Sequence, residues 1–207
     1  MKKVLIVLSV LILFTIGAFF FLGDNYGKLL EQYKGLLEPG ISEMVDQKVM
    51  EYKGTGDPNQ VAMKAFSELF KAYYSLKNVD KLGYVAPRAR WPEVDLTKKT
   101  EWTGLYAVPV ADTVTELPQK IDPTIKLTTW KYGSVAQILH IGPYAEETPT
   151  IDKLKVFIIS SGYKIAGDHE EEYLKGPGVF GAGNTKKYLT IIRYQVEKEK
   201  TYNSKKK

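Results

Sequence analysis

Val49-Met-Glu-Tyr-Lys-Gly-Thr-Gly-Asp-Pro58 and Val135-Ala-Gln-Ile-Leu-His-Ile-Gly-Pro-Tyr144 share one plan. Each is an extended run that breaks at a glycine-bearing turn and opens an amphipathic stretch, the first ending at Tyr74 and the second at Tyr163. A repeat of this size predicts one domain made of two similar halves, and such a duplication leaves a cleft along its pseudo-twofold axis.

Outward from these two stretches the order of elements repeats. In the first half, Ile41 to Lys53 reads as a strand pair or one bent strand. Asp57 and Pro58 start a helix, since Asp accepts from free amides and Pro suits the first turn. Its stripe of Ala62, Ala65, Phe66, Leu69 and Tyr73 belongs to a core. The segment from Gly83 to Val110 predicts a loop-rich hairpin, with Pro109 placing the last strand's end at a sheet edge. In the second half, Thr124 to Trp130 and Ser134 to Ile141 are strands across a turn at Lys131-Tyr-Gly133. Thr148-Pro149 caps a helix whose Ile151, Leu154, Lys155 and Ile158 share a face, and Gly162 stops it. Tyr163 to Leu174 and Lys187 to Val196 are the closing strands. The expected class is α+β: two strand-helix-strand-strand halves forming antiparallel sheet, with the helices on one face.

The flanks differ from this body. Val4 to Leu22 holds no charge, and as a helix it would measure about 28 Å, the thickness of a bilayer's hydrocarbon core. It lacks the short apolar region and small-residue exit of a cleaved signal, so residues 1–23 read as an uncleaved transmembrane anchor. Lys2 and Lys3 before it and Asp24 after it place the N-terminus in the cytoplasm and the domain in the periplasm or exterior. Residues 24–40, with Leu29, Leu30, Tyr33, Leu36 and Leu37 on one side, form an amphipathic stalk. Residues 197–207 read as a basic disordered tail. The domain proper is 41–196, with halves at about 41–112 and 124–196.

Charge and composition narrow the function. The formal charge is +5. Lys2 and Lys3 supply two of these charges and the tail three, its five lysines less two glutamates, so the body balances to zero. A nucleic-acid partner is therefore not expected. Absence of cysteine excludes disulfides, thiolate metal sites and cysteine nucleophiles. Only His140 and His169 are present, without metal-ligand spacing, and neither a metal nor a cofactor is expected. Gly54, Gly56 and Gly142 precede helices without a phosphate-loop pattern, and Ser160-Ser161 lacks a nucleophile-elbow context.

Trp130-Lys-Tyr-Gly-Ser-Val-Ala-Gln-Ile-Leu-His-Ile-Gly-Pro-Tyr144, then a helix, then Ser161-Gly-Tyr-Lys-Ile-Ala-Gly167 and Glu171-Glu-Tyr-Leu174, resemble the GyrI-like small-molecule-binding domain. That fold also serves as the effector-binding domain of multidrug-responsive regulators and is related to the SOUL haem-binding proteins. The first half is similar through Met50 to Ala65 and Leu105 to Val110. The resemblance implies an aromatic-lined cleft between the halves, often with an acidic residue that recognises cationic or polar organic molecules. Some relatives look like hydrolases using a glutamate and a tyrosine, and others bind proteins. Many relatives bring a glutamate inward on the last strand, whereas Tyr188 to Val196 contains no acid.

Glu171 and Tyr173, two apart, share a strand face and would accept and donate hydrogen bonds to a ligand; the alternative is a solvated acidic run from Asp168 to Glu172. Trp130, Tyr144, Trp102, Tyr106 and Tyr194 are candidate cleft walls, and His140 is a further candidate contact whose alternative is a satisfied structural histidine. The expected function is non-catalytic binding of a small organic, cationic or amphipathic molecule by a membrane-anchored protein. The alternatives are a protein-interaction scaffold on the same fold and a small-molecule hydrolase using Glu171 and Tyr173.

Overall fold

The computed structural model describes residues 25–80, 82–83, 85–93, 102–177 and 183–199. The expected span Val4 to Leu22 lies outside the described residues, and among those described no helix is long and apolar enough to cross a membrane. The chain divides into two compact units, Met1–Gly35 and Leu36–Lys207. The first contains helix α1, Asn25–Tyr33, and a 3-10 turn over Lys34–Leu36 follows it, in the place expected for the stalk.

The second unit is α+β. Eight strands form one antiparallel sheet: β1 Gly40–Met44, β2 Gln47–Thr55, β3 Arg88–Glu93, β4 Thr103–Pro109, β5 Ile125–Trp130, β6 Gly133–Ile141, β7 Tyr163–Lys175 and β8 Leu189–Lys198. Helix α2, Pro58–Ser75, follows β2, and helix α3, Thr148–Ser160, follows β6. The strand order is β1-β6-β8-β7-β3-β4-β2-β5. Adding four to each number in the first half, and subtracting four in the second, reproduces this order backwards. The duplication is therefore a true pseudo-twofold with its axis between β3 and β7.

Three expectations are corrected by the pairing. The unit repeated is strand-strand-helix-strand-strand, and the first two strands of each half do not form a hairpin with each other. Instead β1 pairs with β6 of the other half, and β5 pairs with β2, so each half lends an edge strand to its partner. Pro109 ends β4, but β4 lies inside the sheet between β3 and β2. Its missing amide costs no ladder bond because it is the last residue of the strand. Glu197 and Lys198 belong to β8 rather than to a tail; Glu199 N–H donates to Gly162 O, and residues 200–207 lie outside the described ones.

The repeated glycine turns are alike in detail. Gly56 and Gly142 have φ of 141° and 142°, a region that side chains with a Cβ rarely enter. Each donates its N–H across the half, Gly56 to Trp102 O at 3.0 Å and Gly142 to Tyr188 O at 3.1 Å. These bonds tie the start of each helix to the start of the last strand of its half.

Register assigns the sheet faces. Tyr52 pairs Tyr106, Tyr106 pairs Ala89, Ala89 pairs Glu171, Glu171 pairs Ile192 and Ile192 pairs Ile138. This row runs across the face that bears both helices. On it, Ala65, Leu69, Ala72 and Tyr73 of α2 pack with Met50, Tyr52, Tyr106 and Val108. Leu154 and Ile158 of α3 pack with Ala136, Ile138, Ile192 and Tyr194. The two apolar clusters are separate, and β3 and β7 run between them.

Candidate functional site

Alternation along β7 splits the acidic run between the two faces of the sheet. Glu170 and Glu172 point away from the helices, where they are buried at 2 % and 7 % exposure. Arg193 donates to Glu170 at 2.5 Å and to Glu172 at 2.9 Å, Arg90 donates to Glu170 at 2.7 Å, and Arg88 lies 3.3 Å from Glu172. Tyr132 accepts from Arg88 and donates to Glu170, both at 2.9 Å. Burial opposes ionisation of Glu170, yet Arg193, Arg90 and Arg88 outweigh it and hold the carboxyl below its ordinary value. The solvated-acid reading of this run is thus corrected, because three guanidiniums from β3 and β8 replace the water. Trp130 is also on this face: its indole donates to Glu51 at 2.7 Å and Arg90 stacks 4.2 Å from its ring centre. It lines no part of the helix-side seam, contrary to expectation.

Glu171 faces the other way, into the seam between the helices. His169 Nε2 lies 2.8 Å from its Oε1, and Tyr173 donates to its Oε2 at 2.5 Å. A carboxylate only accepts, so Nε2 carries a hydrogen, and Nδ1 lies 2.9 Å from the Tyr194 hydroxyl. Burial raises the Glu171 pKa, but the hydrogen bond and charge of His169 and the hydrogen bonds from Tyr173 and Trp91 overcome it, and the group stays below its ordinary value. Its side chain and that of His169 each keep 14 % exposure.

Aromatic rings surround this carboxylate in a continuous chain. Trp102 meets Trp91 at 5.9 Å, Trp91 meets Tyr106 at 5.7 Å, Tyr106 meets Phe66 at 5.4 Å and Phe66 meets Tyr173 at 5.8 Å. Tyr173 then meets Tyr144 at 5.5 Å, and Tyr144 meets Tyr188 at 5.2 Å. Most of these contacts are edge-to-face, the preferred aromatic geometry. Burial pushes the Tyr106 and Tyr194 phenols up to about 12, and the nearby Glu171 charge adds to both. Tyr144 is 37 % exposed and marks the seam's rim.

The structure therefore brings together Glu171, Tyr173, Tyr144, Tyr194, Tyr106 and Trp102, and leaves Trp130 out. His140 lies on the same face but is spoken for: Nδ1 is 2.9 Å from Thr150 Oγ1 and Nε2 is 3.3 Å from Pro143 O. It pins the start of α3 to β6, and burial lowers its pKa.

The residue that sequence reasoning misses is Glu147. It sits at the N-cap of α3, the position expected of Thr148, but makes no side-chain cap bond. Its side chain turns inward instead, at 5 % exposure, toward Thr190 and Glu171, with no close hydrogen bond to its Oε1 or to Thr190 Oγ1. Burial first, and the Glu171 charge second, push its carboxyl up to about 8. The stretch Tyr188 to Val196 holds no acid, yet the seam has two: one from β7 and one from the turn before α3. Among the described residues no Lys or Arg forms an ion pair with either, and no group of three or more potential metal ligands occurs.

No protein-family model and no curated protein matches the chain. Solved structures do. An uncharacterized conserved protein from Listeria innocua is similar over 81 % of this chain and 98 % of its own, at TM-score 0.67 and 22 % identity. A protein from Listeria innocua named as a hydrolase is similar over the same shares, at 0.66 and 20 %. The C-terminal domain of EcmrR is similar over 78 % of this chain and 98 % of its own, at 0.61 and 15 %. These likenesses support the GyrI-like fold that the sequence resemblance implied.

Proposed function

We propose that this chain binds a small aromatic or amphipathic organic cation in the seam between its two halves, without altering it. One observation carries the reading: Glu171 is kept ionised by His169, Tyr173 and Trp91, inside a wall of aromatic rings, and among the described residues no Lys or Arg pairs with it. A largely buried carboxylate without a permanently charged partner is an unfavourable arrangement, and a guest cation supplies that charge. The rings supply area and cation–π attraction. The proposed contacts are Glu171, Tyr173, Tyr144, Tyr106, Trp102 and Tyr194. The reading includes the N-terminal anchor, with the N-terminus in the cytoplasm and the domain in the periplasm or exterior; extraction of the full chain from membranes by carbonate would remove that part of it.

The test is thermal stability in the presence of aromatic cations and their neutral isosteres. A ligand at one hundred times its Kd stabilises by about 2.7 kcal/mol, so a cation is expected to raise Tm while its isostere does not, and Glu171→Gln should lose the effect. Equal shifts from cation and isostere would refute the ionic contact. A second reading, hydrolysis of a small molecule, is favoured by one observation. Glu147 holds its proton near neutrality beside an ionised Glu171, and such a split pair can act as acid and base. Turnover that survives Glu171→Gln and Glu147→Gln would remove both residues from it.

A further inference from the structure

We propose that Glu147 and Glu171 work as one proton-sharing carboxyl pair, so that uptake of a guest cation in the seam is coupled to release of a proton from Glu147. This rests on the cation-binding reading and adds its regulation. The geometry that carries it is local. Glu147 leaves its helix amides unbonded, buries its side chain, and sets its carboxyl within reach of the Glu171 carboxyl and the Thr190 hydroxyl, with no close hydrogen bond to its Oε1. A buried carboxyl facing a second carboxyl is the arrangement in which one proton is shared between the two.

The electrostatic setting is one-sided. The titratable groups facing the pair are His169 and Tyr173 on β7, Tyr194 on β8 and Tyr188 just before it, Tyr106 on β4, Tyr144 on the turn before α3 and His140 on β6. Lys155 and Asp152 of α3 act on Tyr194, and Asp57 at the start of α2 acts on Tyr106. None of these is a fixed cation in contact with Glu147. Two like charges this close do not both ionise readily, so the pair holds one proton, and it resides on Glu147.

A guest cation reverses that balance. Its charge cancels the field of Glu171 at Glu147, and ionisation of Glu147 then gives the guest a second contact. The proton leaves to solvent, and no bond to the guest is made or broken. Binding and proton loss are linked reciprocally. Since the free carboxyl titrates at about 8, affinity should rise with pH below that value, by up to about tenfold per unit, and level off above it.

The experiment uses the full-length protein with N-methylacridinium, an aromatic cation whose charge does not vary with pH. Calorimetry at pH 6.5 in buffers of different ionisation heat counts the protons released, and Kd is followed from pH 5.5 to 9. Release approaching one proton at pH 6.5 and none at pH 9 is expected, with Kd falling at least tenfold between pH 6 and 8. In Glu147→Gln, binding should persist with no release and a flat Kd. Binding by wild type with no proton release, or with the same pH profile in Glu147→Gln, overturns the coupling and leaves the cation-binding reading standing. Failure of the wild type to bind at any pH overturns both. Circular dichroism of Glu147→Gln checks that the variant folds, and a conservative Glu147→Asp should retain the release.

Discussion

Replacing Glu147 by Gln should make the protein more stable, and by an amount that grows with pH. The side chain is 5 % exposed and its carboxyl is displaced from 4.5 to about 8, with burial as the first cause and the Glu171 charge as the second. A folded-state value above the unfolded one means that folding holds a proton which unfolding releases. Stability from this group is therefore complete below 4.5, declines as pH rises, and is exhausted above about 8. At about 1.4 kcal/mol per pKa unit, the full loss is on the order of 5 kcal/mol, of which roughly 3 kcal/mol falls between pH 6 and 9. For a chain of this length 1 kcal/mol moves Tm by roughly 2–4 °C, so wild type should lose roughly 6–12 °C over that interval. Gln keeps the shape and has no proton to lose, so Glu147→Gln should lack this decline. Differential scanning calorimetry or circular dichroism melts at half-unit pH steps measure it. Parallel Tm curves for the two proteins from pH 6 to 9 would refute the buried, proton-holding Glu147.

Three further outcomes follow from other parts of the molecule. Glu171 has the opposite sign: its folded value is lowered, so its contribution is present above 4.5 and is lost as pH falls; Glu171→Gln should flatten the acid limb of a urea stability profile below that pH. Arg193→Met leaves Glu170 and Glu172 without their shared guanidinium, and removing one partner of a buried network should cost about 3–5 kcal/mol in urea unfolding, with little dependence on salt. Gly104→Ala places a Cβ 2.8 Å from Tyr106 Cζ and 2.9 Å from its hydroxyl, so it should destabilise by about 1–3 kcal/mol, and the penalty should shrink in a Tyr106→Leu background.

Burying Glu170 and Glu172 with three arginines on one face, and Glu171 with a histidine and tyrosine on the other, shows how a single strand serves two purposes. The arginine side ties β3, β7 and β8 together across the junction of the two halves. The helix side gives its carboxylate His169 and Tyr173 but no arginine, and rings it with aromatics. One residue step separates a group that stabilises the fold from a group offered to a guest. A register slip of one residue would exchange the two roles.

The amino-acid sequence by itself determined the repeat, because the signals that reveal it are local. Glycines at the strand-to-helix turns, Asp57 before Pro58, and apolar spacing along α2 and α3 depend on neighbours within a few residues. The pairing of Glu171 with Tyr173 on one face was legible for the same reason, since alternation is a property of any strand. Only the tertiary structure decided that β1 and β5 cross to the opposite half, because both edges offer the same backbone groups and the choice rests on packing between halves. It also decided which face of β7 meets arginine, and it moved Trp130 to that face. Glu147 was hidden for the deepest reason: in Ala-Glu-Glu-Thr-Pro an acid before a helix reads as solvated, and its burial arises only when the 3-10 turn Tyr144–Glu146 packs against strands from far along the chain.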